Sequence, residues 1–467
     1  MSTPHPLGVR PTAIPGLLVV DLEVHADDRG WFKENWQRAK MTGLGLPDFG
    51  PVQHSLAFNT SAGVTRGFHA EPWDKLVSVA DGRIFGAWVD LRPGPGFGTL
   101  VTAELGPDSA VFVPRGVANG YQTLADATVY SYLVNDHWSP GARSEYSYVN
   151  LADETLAVAW PIPLDQATVS PADAVHPRLA DARPVPAKRT VVIGAGGQLG
   201  RALLALLPEA TALDLPDFDL SDADAVEAYP WREVDTVINA AAWTAVDAAE
   251  TPDGRRAAWA ANVTGVANLC REAAEHRLRL VHVSTDYVFD GTASEHTEDE
   301  PFSPLGVYGQ TKAAGDALVG QVPRHYLVRT SWVIGDGRNF VATMASLAAS
   351  GASPRVVDDQ FGRLTFTADL AAGIVHLLTT DVPYGTYNLT NDGPAASWHQ
   401  IAQAVFELSG RDPADVTGIS TADYAAGSPT APRPLNSTLV LDKLRAAGFS
   451  PAPWPERLRD YLGQDPS

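Results

Sequence analysis

Short apolar runs separated by turn residues fill the first third of the chain. Between Leu17 and about Pro163 they include LVSVA, RIFGAWVDL, AVFVP and TVYSYLV, and glycine, proline, aspartate and asparagine lie between them. Runs of this length and composition, bounded by turn residues, are typical of antiparallel strands. The pattern therefore predicts an all-β domain of the jelly-roll (cupin) type.

The pattern changes after Arg189, where apolar strands alternate with longer helical segments, as in TVVIGAGGQLGRALLALL. This alternation predicts an α/β Rossmann domain with a doubly wound parallel sheet. Between the two patterns, residues 172–189 contain three prolines and no apolar periodicity, which is typical of an extended linker. We therefore predict a β domain at 1–178, a linker at 179–188, and an α/β domain at 189–467 with a small C-terminal substrate lobe.

The 467-residue chain is strongly acidic, with 34 Lys and Arg against 55 Asp and Glu and a formal net charge of −21. Such a field repels phosphates outside a locally basic pocket, so we expect neither nucleic acid nor a membrane surface as partner. The N-terminal segment lacks the basic start and apolar run of a secretory signal, and no apolar stretch reaches about 18 residues. We therefore expect a cytoplasmic protein.

A glycine-rich turn follows the first strand of the α/β half. TVVIG continues into GAGGQLG and then into RALLALL, with glycines at 194, 197 and 200. Gly194, Gly197 and Gly200 would permit a tight turn, close approach of a pyrophosphate and close helix packing, although an ordinary βα turn is the alternative. Asp214 ends the next apolar run, where it could accept hydrogen bonds from an adenosine ribose or cap a helix.

Tyr308 and Lys312 are four residues apart in PLGVYGQTKAAGD. On a helix this spacing places both side chains on one face, so that the ammonium can lower the pKa of the Tyr308 phenol. The phenol would then act as a general acid toward a carbonyl oxygen. Upstream, VHVSTDYVFDG predicts a strand ending at Ser284 and Thr285, whose hydroxyls would extend the hydrogen-bond chain to the substrate.

These features occur together with VINAAAWTAVDAAE, RTSWVIG, DDQFGRLTFTADLA and RPLNSTL, and the set resembles the dTDP-4-dehydrorhamnose reductase family of extended short-chain dehydrogenases/reductases. The resemblance covers nearly all of residues 189–463. It implies hydride transfer from NADPH or NADH to C4 of a 4-keto sugar nucleotide, and Asp214, which would repel a 2′-phosphate, slightly favours NADH. It implies Thr285, Tyr308 and Lys312 as catalytic residues, Gln198, Leu199, Asp219, Leu220, Ala240 and Ala241 around the dinucleotide, and Trp332 and Arg363 at the sugar nucleotide.

The β half carries fewer reactive side chains. His69 could begin a cupin metal site, but Glu71 replaces the second histidine of the usual pair and Asn119 stands at the later histidine position, so we predict no metal. Without a metal, His69 suits the role of base toward a carbon acid, Lys75 can stabilise an enolate, and Tyr132 can return a proton. We expect His69 and Lys75 on neighbouring strands that open into a common barrel mouth.

These residues, with the motifs RGFH, KLV and VDLR, resemble the dTDP-4-dehydrorhamnose 3,5-epimerase family over about residues 15–178. The resemblance implies His69 as base, Asp173 as the carboxylate that orients it, Lys75 as enolate stabiliser and Tyr132 as acid on the opposite face.

The same resemblance implies nucleotide and phosphate contacts from Arg29, Glu34 and Arg66. Two positions depart from the family pattern, because Asn119 replaces a histidine and Gly86 replaces an aspartate. Asn119 can still donate a hydrogen bond to the 4-keto oxygen.

Each half resembles an enzyme whose substrate or product belongs to the other. We therefore predict a bifunctional enzyme that epimerises dTDP-4-dehydro-6-deoxy-D-glucose at C3 and C5 and then reduces C4. One alternative is a working reductase with a catalytically silent cupin module for binding or dimerisation, and another is the same reaction pair on a different nucleotide-linked deoxysugar. The epimerase resemblance also implies a homodimer through the cupin domain.

Overall fold

The protein forms two units, Met1–Ala187 and Lys188–Ser467. The structure is a computed structural model that describes residues 6–139, 141–380, 382–426 and 430–463. Among the described residues, none of the helices combines the length and the apolarity needed to cross a bilayer.

Fourteen strands and two short α-helices are described in the first unit. The strands are β1 (Gly8–Pro11), β2 (Leu18–Asp21), β3 (Val24–Asp27), β4 (Gly30–Lys33), β5 (Gln53–Asn59), β6 (Val64–Ala70), β7 (Lys75–Asp81), β8 (Ile84–Asp90), β9 (Leu100–Leu105), β10 (Ser109–Val113), β11 (Val117–Thr123), β12 (Thr128–Val134), β13 (Ser147–Tyr148) and β14 (Thr168–Val169). The helices are α1 (Arg38–Gly43) and α2 (Pro171–Ala174).

Two sheets face each other in this unit. One has the order β1-β2-β10-β7-β12-β5, and the other has the order β13-β6-β11-β8-β9 with β14 beside β6. Val77 and Tyr130 from the first sheet pack with Trp88 and Tyr121 from the second in one buried cluster. Because alternate side chains of a strand point to opposite faces, each sheet contributes its inward set to this core. The predicted jelly-roll class is confirmed.

Residues 179–186, which the sequence analysis assigns to a linker, pack on the first unit instead. Leu179, Ala182 and Val185 are buried and belong to the same apolar cluster as Phe68 and other core residues. The Val185 amide also donates to the Leu91 carbonyl at 2.8 Å. The physical reason is that these apolar side chains recur at every third position and all turn inward, although the prolines keep the backbone extended.

The second unit alternates strands and helices. Its strands are β15 (Arg189–Ile193), β16 (Thr211–Leu213), β17 (Val234–Asn239), β18 (Arg279–Thr285), β19 (His325–Thr330), β20 (Val333–Ile334), β21 (Arg355–Val357), β22 (Phe361–Gly362), β23 (Thr365–Phe366), β24 (Gly385–Asn388), β25 (Ala396–Ser397) and β26 (Thr417–Ile419). Its α-helices are α3 (Gln198–Leu206), α4 (Ala223–Ala228), α5 (Pro252–Trp259), α6 (Gly265–Glu275), α7 (Val307–Val319), α8 (Phe340–Ala349), α9 (Thr367–Thr379), α10 (Trp398–Leu408), α11 (Thr421–Ala425), α12 (Asp442–Ala446) and α13 (Trp454–Gly463).

The main sheet of this unit has the order β16-β15-β17-β18-β19-β24, and its strand pairs are parallel. Val191 and Ile193 pack in a cluster with Leu269 of α6, whereas Val192 between them packs with Leu203 of α3 on the other face. Helices therefore cover both faces, as the continuous apolar strands require. The predicted Rossmann class is confirmed.

A second apolar cluster forms the small lobe. It contains side chains of α8, α10 and α13, and the short strand pairs β20–β23, β21–β26 and β22–β25 lie beside it. The carboxyl ends of β15 and β18 carry the glycine turn and Thr285, so the predicted reactive groups share one edge of the main sheet.

Candidate active sites

The glycine turn lies between β15 and α3. Gly197 is the N-cap of α3, and no side chain among the described residues caps that first turn, which leaves its N–H groups for an anion. A Cβ added at Gly194 would lie 2.6 Å from the Ala241 nitrogen, and one at Gly200 would lie 2.1 Å from the Gly194 oxygen. The turn therefore fits a dinucleotide pyrophosphate, since only glycine permits these approaches.

Asp214 lies directly after β16, beside this turn. Its Oδ2 accepts a hydrogen bond from the Gly196 amide at 2.6 Å, and its Oδ1 accepts one from the Leu215 amide at 2.8 Å. Asp214 therefore fastens the glycine turn and does not cap a helix in the described structure.

The remaining predicted dinucleotide residues surround the same edge of the sheet, mostly through backbone or apolar contacts. Gln198 Nε2 donates to the Arg338 carbonyl, and Leu199 is buried on α3. Asp219 accepts from the Ser221 amide, and Leu220 packs at Gly265. The Ala240 amide donates to the Ile193 carbonyl, and the Ala241 amide donates to Asn239 Oδ1.

Tyr308 and Thr285 lie at the carboxyl edge of β18. Thr285 Oγ1 donates to Asp286 Oδ1 at 3.0 Å, and its side chain lies beside the Tyr308 hydroxyl. Burial raises the pKa of Tyr308, and the Thr285 side chain opposes the rise. Burial also raises the pKa of Asp286 to about 6. The Tyr308 pKa is therefore raised, whereas the sequence analysis expects Lys312 to lower it.

Lys312 shares the buried face of α7 with Tyr308, but its ammonium end is held by β18. Nζ donates to the Val283 carbonyl at 2.8 Å and lies 3.1 Å from His282 Nε2. Burial lowers the pKa of Lys312 to about 8, although Asp316 one turn along the helix raises it. These hydrogen bonds hold the Lys312 side chain at β18, which explains why Lys312 does not lower the pKa of the Tyr308 hydroxyl.

The two residues predicted at the sugar nucleotide lie in the small lobe. The Trp332 ring stacks on Trp398 with centroids 3.7 Å apart. Arg363 is half-buried, and it donates to the carbonyls of Gly393 at 2.7 Å and Leu439 at 3.1 Å. The Arg363 guanidinium thus already has backbone partners on part of its donor set.

In the first unit, α2 brings Asp173 against His69 of β6. His69 Nε2 lies 3.0 Å from Asp173 Oδ1, and the His69 side chain keeps 33% of its surface exposed. Burial raises the pKa of Asp173, but the His69 hydrogen bond and the Gly67 amide bring it below 3.8 overall. An ionised Asp173 accepts the Nε2 proton and leaves the lone pair on His69 Nδ1, as a base requires.

His176 is a third member of this group that the sequence analysis missed. Its Nε2 lies 3.8 Å from Asp173 Oδ1, and its ring packs against Tyr148 with centroids 4.6 Å apart. Burial, followed by the charge of His69, lowers the pKa of His176. The histidine three residues after Asp173 in PADAVHP was the available signal.

Lys75 and Tyr132 lie in the other sheet. The Lys75 ammonium forms a buried ion pair with Glu71 and lies 5.3 Å from the centre of the Tyr132 ring. Glu71 also accepts a hydrogen bond from Trp73 Nε1 at 2.7 Å. Burial raises the pKa of Tyr132, a hydrogen bond from Ser55 opposes this, and the charge of Glu71 raises it further. Glu71 therefore pairs with Lys75 and Trp73.

The expectation that His69 and Lys75 lie on neighbouring strands is wrong. β6 belongs to one sheet and β7 to the other, so the two strands are not hydrogen-bonded neighbours. A short connection between consecutive strands can cross from sheet to sheet, and strand periodicity does not report that choice.

Asn119 lies opposite His69 in the pairing of β11 with β6. Its Nδ2 lies 3.1 Å from the Tyr130 hydroxyl, and that hydroxyl lies 3.3 Å from Asn119 Oδ1. The amide is thus engaged with Tyr130 rather than held free for a substrate oxygen. At Gly86, an added Cβ would lie 2.4 Å from the Trp88 ring, which occupies the space of a side chain there.

The predicted nucleotide-binding residues of this unit are dispersed. Arg66 on β6 donates through Nε to Asn59 Oδ1 at 3.2 Å. Arg29, at the tip of the β3–β4 hairpin, pairs with Asp27, and Glu34, just after that hairpin, pairs with Lys40. Arg29 and Glu34 are exposed and belong to a separate two-stranded sheet region, not to the interior group around His69.

Family comparisons support both halves. A family model described as dTDP-4-dehydrorhamnose 3,5-epimerase matches residues 11–181, and one described as RmlD substrate binding domain matches residues 188–465. A protein RmlC homolog of Streptococcus pyogenes is 48% identical over 38% of this chain and 90% of its own length. A dTDP-4-dehydrorhamnose reductase of Aggregatibacter actinomycetemcomitans is 38% identical over 58% of this chain and 97% of its own length.

A solved structure adds support for the second unit. The dTDP-4-dehydrorhamnose reductase of Bacillus anthracis in complex with NADP has a TM-score of 0.54 and 31% sequence identity, and the match covers 59% of this chain and 99% of that one. The chain therefore belongs to the dTDP-4-dehydrorhamnose 3,5-epimerase family through its first unit and to the RmlD substrate binding domain family through its second.

Proposed function

We propose that the chain carries out two consecutive steps of dTDP-L-rhamnose synthesis, 3,5-epimerisation of dTDP-4-dehydro-6-deoxy-D-glucose and reduction of the 4-keto group. The observation that carries this proposal is the presence of two complementary centres in one chain. His69 is paired with Asp173 in the β unit, and Tyr308 lies beside Thr285 in the α/β unit.

Epimerisation begins with removal of a carbon-bound proton beside the 4-keto group. His69 takes this proton on Nδ1, since Asp173 holds Nε2–H, and the imidazolium formed is stabilised by the Asp173 carboxylate. Lys75 stabilises the enolate oxygen from the opposite sheet. Tyr132 then returns a proton to the other face of the carbon and recovers its own from solvent, which inverts the centre.

Reduction takes place at the carboxyl edge of the parallel sheet. NADPH or NADH, when bound, supplies the hydride for C4, and NADPH use is supported by the NADP complex of the Bacillus anthracis relative. Tyr308 donates its proton to the C4 oxygen, and Thr285 aligns that hydroxyl. The glycine turn would hold the pyrophosphate, and Lys312 would balance the charge left on Tyr308.

The order of the two reactions explains their fusion. Enolate-mediated epimerisation is reversible, whereas reduction of C4 removes the acidity of the neighbouring C–H bonds. A reductase on the same chain raises the local concentration of the trapping activity. A cytoplasmic location, which the sequence analysis predicts, belongs to the same proposal.

A homodimer through the β unit belongs to the same proposal. Trp31 and Phe32 on the hairpin, and Leu56 and Phe58 on the edge strand β5, expose large apolar surfaces. Exposed apolar side chains on an edge strand and on a hairpin favour association. A partner copy would also explain Arg29, which lies apart from the His69 group of its own chain.

The decisive experiment incubates the intact protein with dTDP-4-dehydro-6-deoxy-D-glucose and NADPH in D₂O, and identifies the sugar and its deuterium by NMR. We expect dTDP-rhamnose with deuterium at C3 and C5. His69→Ala should abolish deuterium incorporation, whereas Tyr308→Phe should retain incorporation and abolish NADPH oxidation. Deuterium incorporation that persists in His69→Ala would leave only the reductase half of the proposal.

The dimer has its own test in a mixture of two variants. Arg29→Ala and His69→Ala should each lack epimerisation, and a refolded equimolar mixture should recover about one quarter of the activity, because half of the dimers then carry one intact site. No recovery, or a monomeric mass by light scattering, would contradict a site shared between two copies.

A further inference from the structure

A chain of buried polar groups runs beneath the reductase centre and ends at Lys312. Asn239 closes β17, His282 lies in the middle of β18, and both side chains are fully buried. Asn239 Nδ2 lies 3.0 Å from His282 Nδ1, and His282 Nε2 lies 3.1 Å from Lys312 Nζ. The proposed mechanism assigns no role to Asn239 or His282.

The direction of the hydrogen bonds in this chain is fixed by the backbone. The Ala241 amide points at Asn239 Oδ1 at 3.1 Å, so this oxygen must be the acceptor and the amide nitrogen must face His282. Asn239 Nδ2 is then a donor, and His282 Nδ1 has to accept. A neutral imidazole that accepts at Nδ1 carries its proton at Nε2. Burial lowers the pKa of His282, which keeps the ring neutral.

The consequence falls on Lys312. An ammonium group has three N–H donors and no lone pair, so it cannot accept a hydrogen bond from His282 Nε2–H. A neutral amine can accept that bond and still donate to the Val283 carbonyl at 2.8 Å. The hydrogen-bond directions, from Ala241 to the lysine, are therefore all satisfied only when Lys312 is uncharged.

We propose that Asn239 and His282 are positioning residues that favour the neutral amine form of Lys312 in the free enzyme, because protonation of Lys312 loses the hydrogen bond from His282 Nε2–H. The proposal rests on the reductase function proposed above. The Asn239–Ala241 turn packs directly on Gly194 of the glycine turn. The row of hydrogen-bonded side chains therefore connects the predicted dinucleotide site to Lys312.

Other charged or titratable groups near Lys312 come from three elements. On α7 itself, Asp316 favours the charged lysine and Tyr308 lies one turn away. Asp316 is in turn paired with Arg329 of β19 at 3.2 Å, which weakens its pull on Lys312. Asp286, just after β18, is itself driven toward its neutral form, since burial raises its pKa to about 6. Burial lowers the pKa of Lys312 to about 8 against the pull of Asp316, so the neutral amine becomes the main form above about pH 8.

The test replaces Asn239 by aspartate. The carboxylate of Asn239→Asp accepts from both the Ala241 amide and His282 Nδ1–H, which moves the ring proton to Nδ1 and leaves Nε2 to accept from a charged lysine. We expect the Lys312 pKa to rise by at least one unit. Asn239→Leu is the control, because it removes the polar side chain without reversing the hydrogen bond between His282 and Lys312. It should raise the Lys312 pKa by less than Asn239→Asp does.

The readout is NMR of the whole protein labelled with ¹³Cε-lysine, because the chain has only six lysines. Lys312→Met identifies the Lys312 signal. In Asn239→Asp, the basic limb of the pH profile of kcat/KM for reduction should move to higher pH. An unchanged Lys312 titration in folded Asn239→Asp would overturn the proposal.

His282→Glu is the second variant, in case Asn239→Asp does not fold. The glutamate carboxylate can accept from both Asn239 Nδ2 and Lys312, so the lysine pKa should again rise, and an unchanged value would equally overturn the proposal. The titration requires no turnover. A shifted titration without reduction would count against the proposed function alone, and reduction without a shift would count against the positioning chain alone.

Discussion

At the scale of a single residue, the buried Asp286 side chain beside Thr285 lowers the stability of the second unit when it ionises. The side chain is buried and accepts the Thr285 hydroxyl, and burial raises its pKa from 3.8 to about 6 although the Thr285 hydrogen bond opposes the rise. Because the folded pKa lies above the unfolded one, the contribution of Asp286 is most favourable below the unfolded pKa and is lost as the pH rises through about 6. The loss amounts to roughly 3 kcal/mol.

We therefore expect Asp286→Asn to raise the free energy of unfolding of the second unit by more at pH 8 than at pH 5. The variant removes the buried charge and keeps an acceptor for Thr285. The measurement is urea unfolding at the two pH values, with wild-type protein in parallel. An equal change at both values would show that ionisation of Asp286 carries no cost.

Asp214 bears on the choice of dinucleotide. Its carboxylate fastens the Gly196 amide, and we predict that it repels the 2′-phosphate of a dinucleotide bound at this turn. Asp214→Asn keeps the acceptor and removes the charge, so the ratio of kcat/KM for NADPH to that for NADH should rise about tenfold, equivalent to roughly 1.4 kcal/mol. Asp217→Asn, an exposed change in the same loop, is the control and should leave the ratio unchanged. A similar change of this ratio in both variants would show that Asp214 does not select between NADPH and NADH.

The single residues that sequence reasoning missed were missed for one physical reason. His282 and Asn239 lie on different strands, and only strand pairing brings them together. His176 was visible as a histidine near Asp173, but its approach to Asp173 Oδ1 depends on how α2 seats against β6. A polar side chain gains a role from partners that are distant along the chain.

At the scale of elements, the glycine turn is the connection most sensitive to one added carbon. Gly200→Ala would place Cβ 2.1 Å from the Gly194 carbonyl oxygen and 2.7 Å from the Ala195 Cα. Backbone cannot move away as a flexible side chain can, so α3 must shift from β15. We expect at least a tenfold weaker NADPH affinity, measured by calorimetry, and a lower Tm.

Gly320→Ala, at the end of α7, is the matched control. Its added Cβ would meet the Asp316 carbonyl oxygen at 3.4 Å, and its φ of −58° suits alanine. It should bind NADPH normally. Normal NADPH affinity in Gly200→Ala would show that the turn does not hold the dinucleotide.

Element types followed from the sequence more reliably than element neighbours. The strand VHVST and the helix carrying Tyr308 and Lys312 appear as predicted, as β18 and α7. The placement of β6 and β7 in opposite sheets did not follow, because alternation reports which face of a strand is apolar and says nothing about which strand lies beside it.

At the scale of the whole molecule, the boundary between the units is the testable feature. Leu179 and Val185 are buried in the first unit, and burial of such side chains contributes about 1.5–3 kcal/mol each. A fragment of residues 1–187 should therefore unfold at a Tm several degrees above that of a fragment of residues 1–178. Equal Tm values by scanning calorimetry would mean that residues 179–187 do not contribute to the first unit.

The sequence by itself determined the order of the domains, their fold classes and most of the residues with reactive side chains, because hydrophobic periodicity and motif spacing are local properties. Tertiary structure alone decided which of those residues meet. It joined His69 to Asp173 and directed Lys312 toward His282, and it left Arg29 on an exposed hairpin. Distances, burial and hydrogen-bond direction depend on strand pairing and sheet packing, which bring together residues that no local pattern connects.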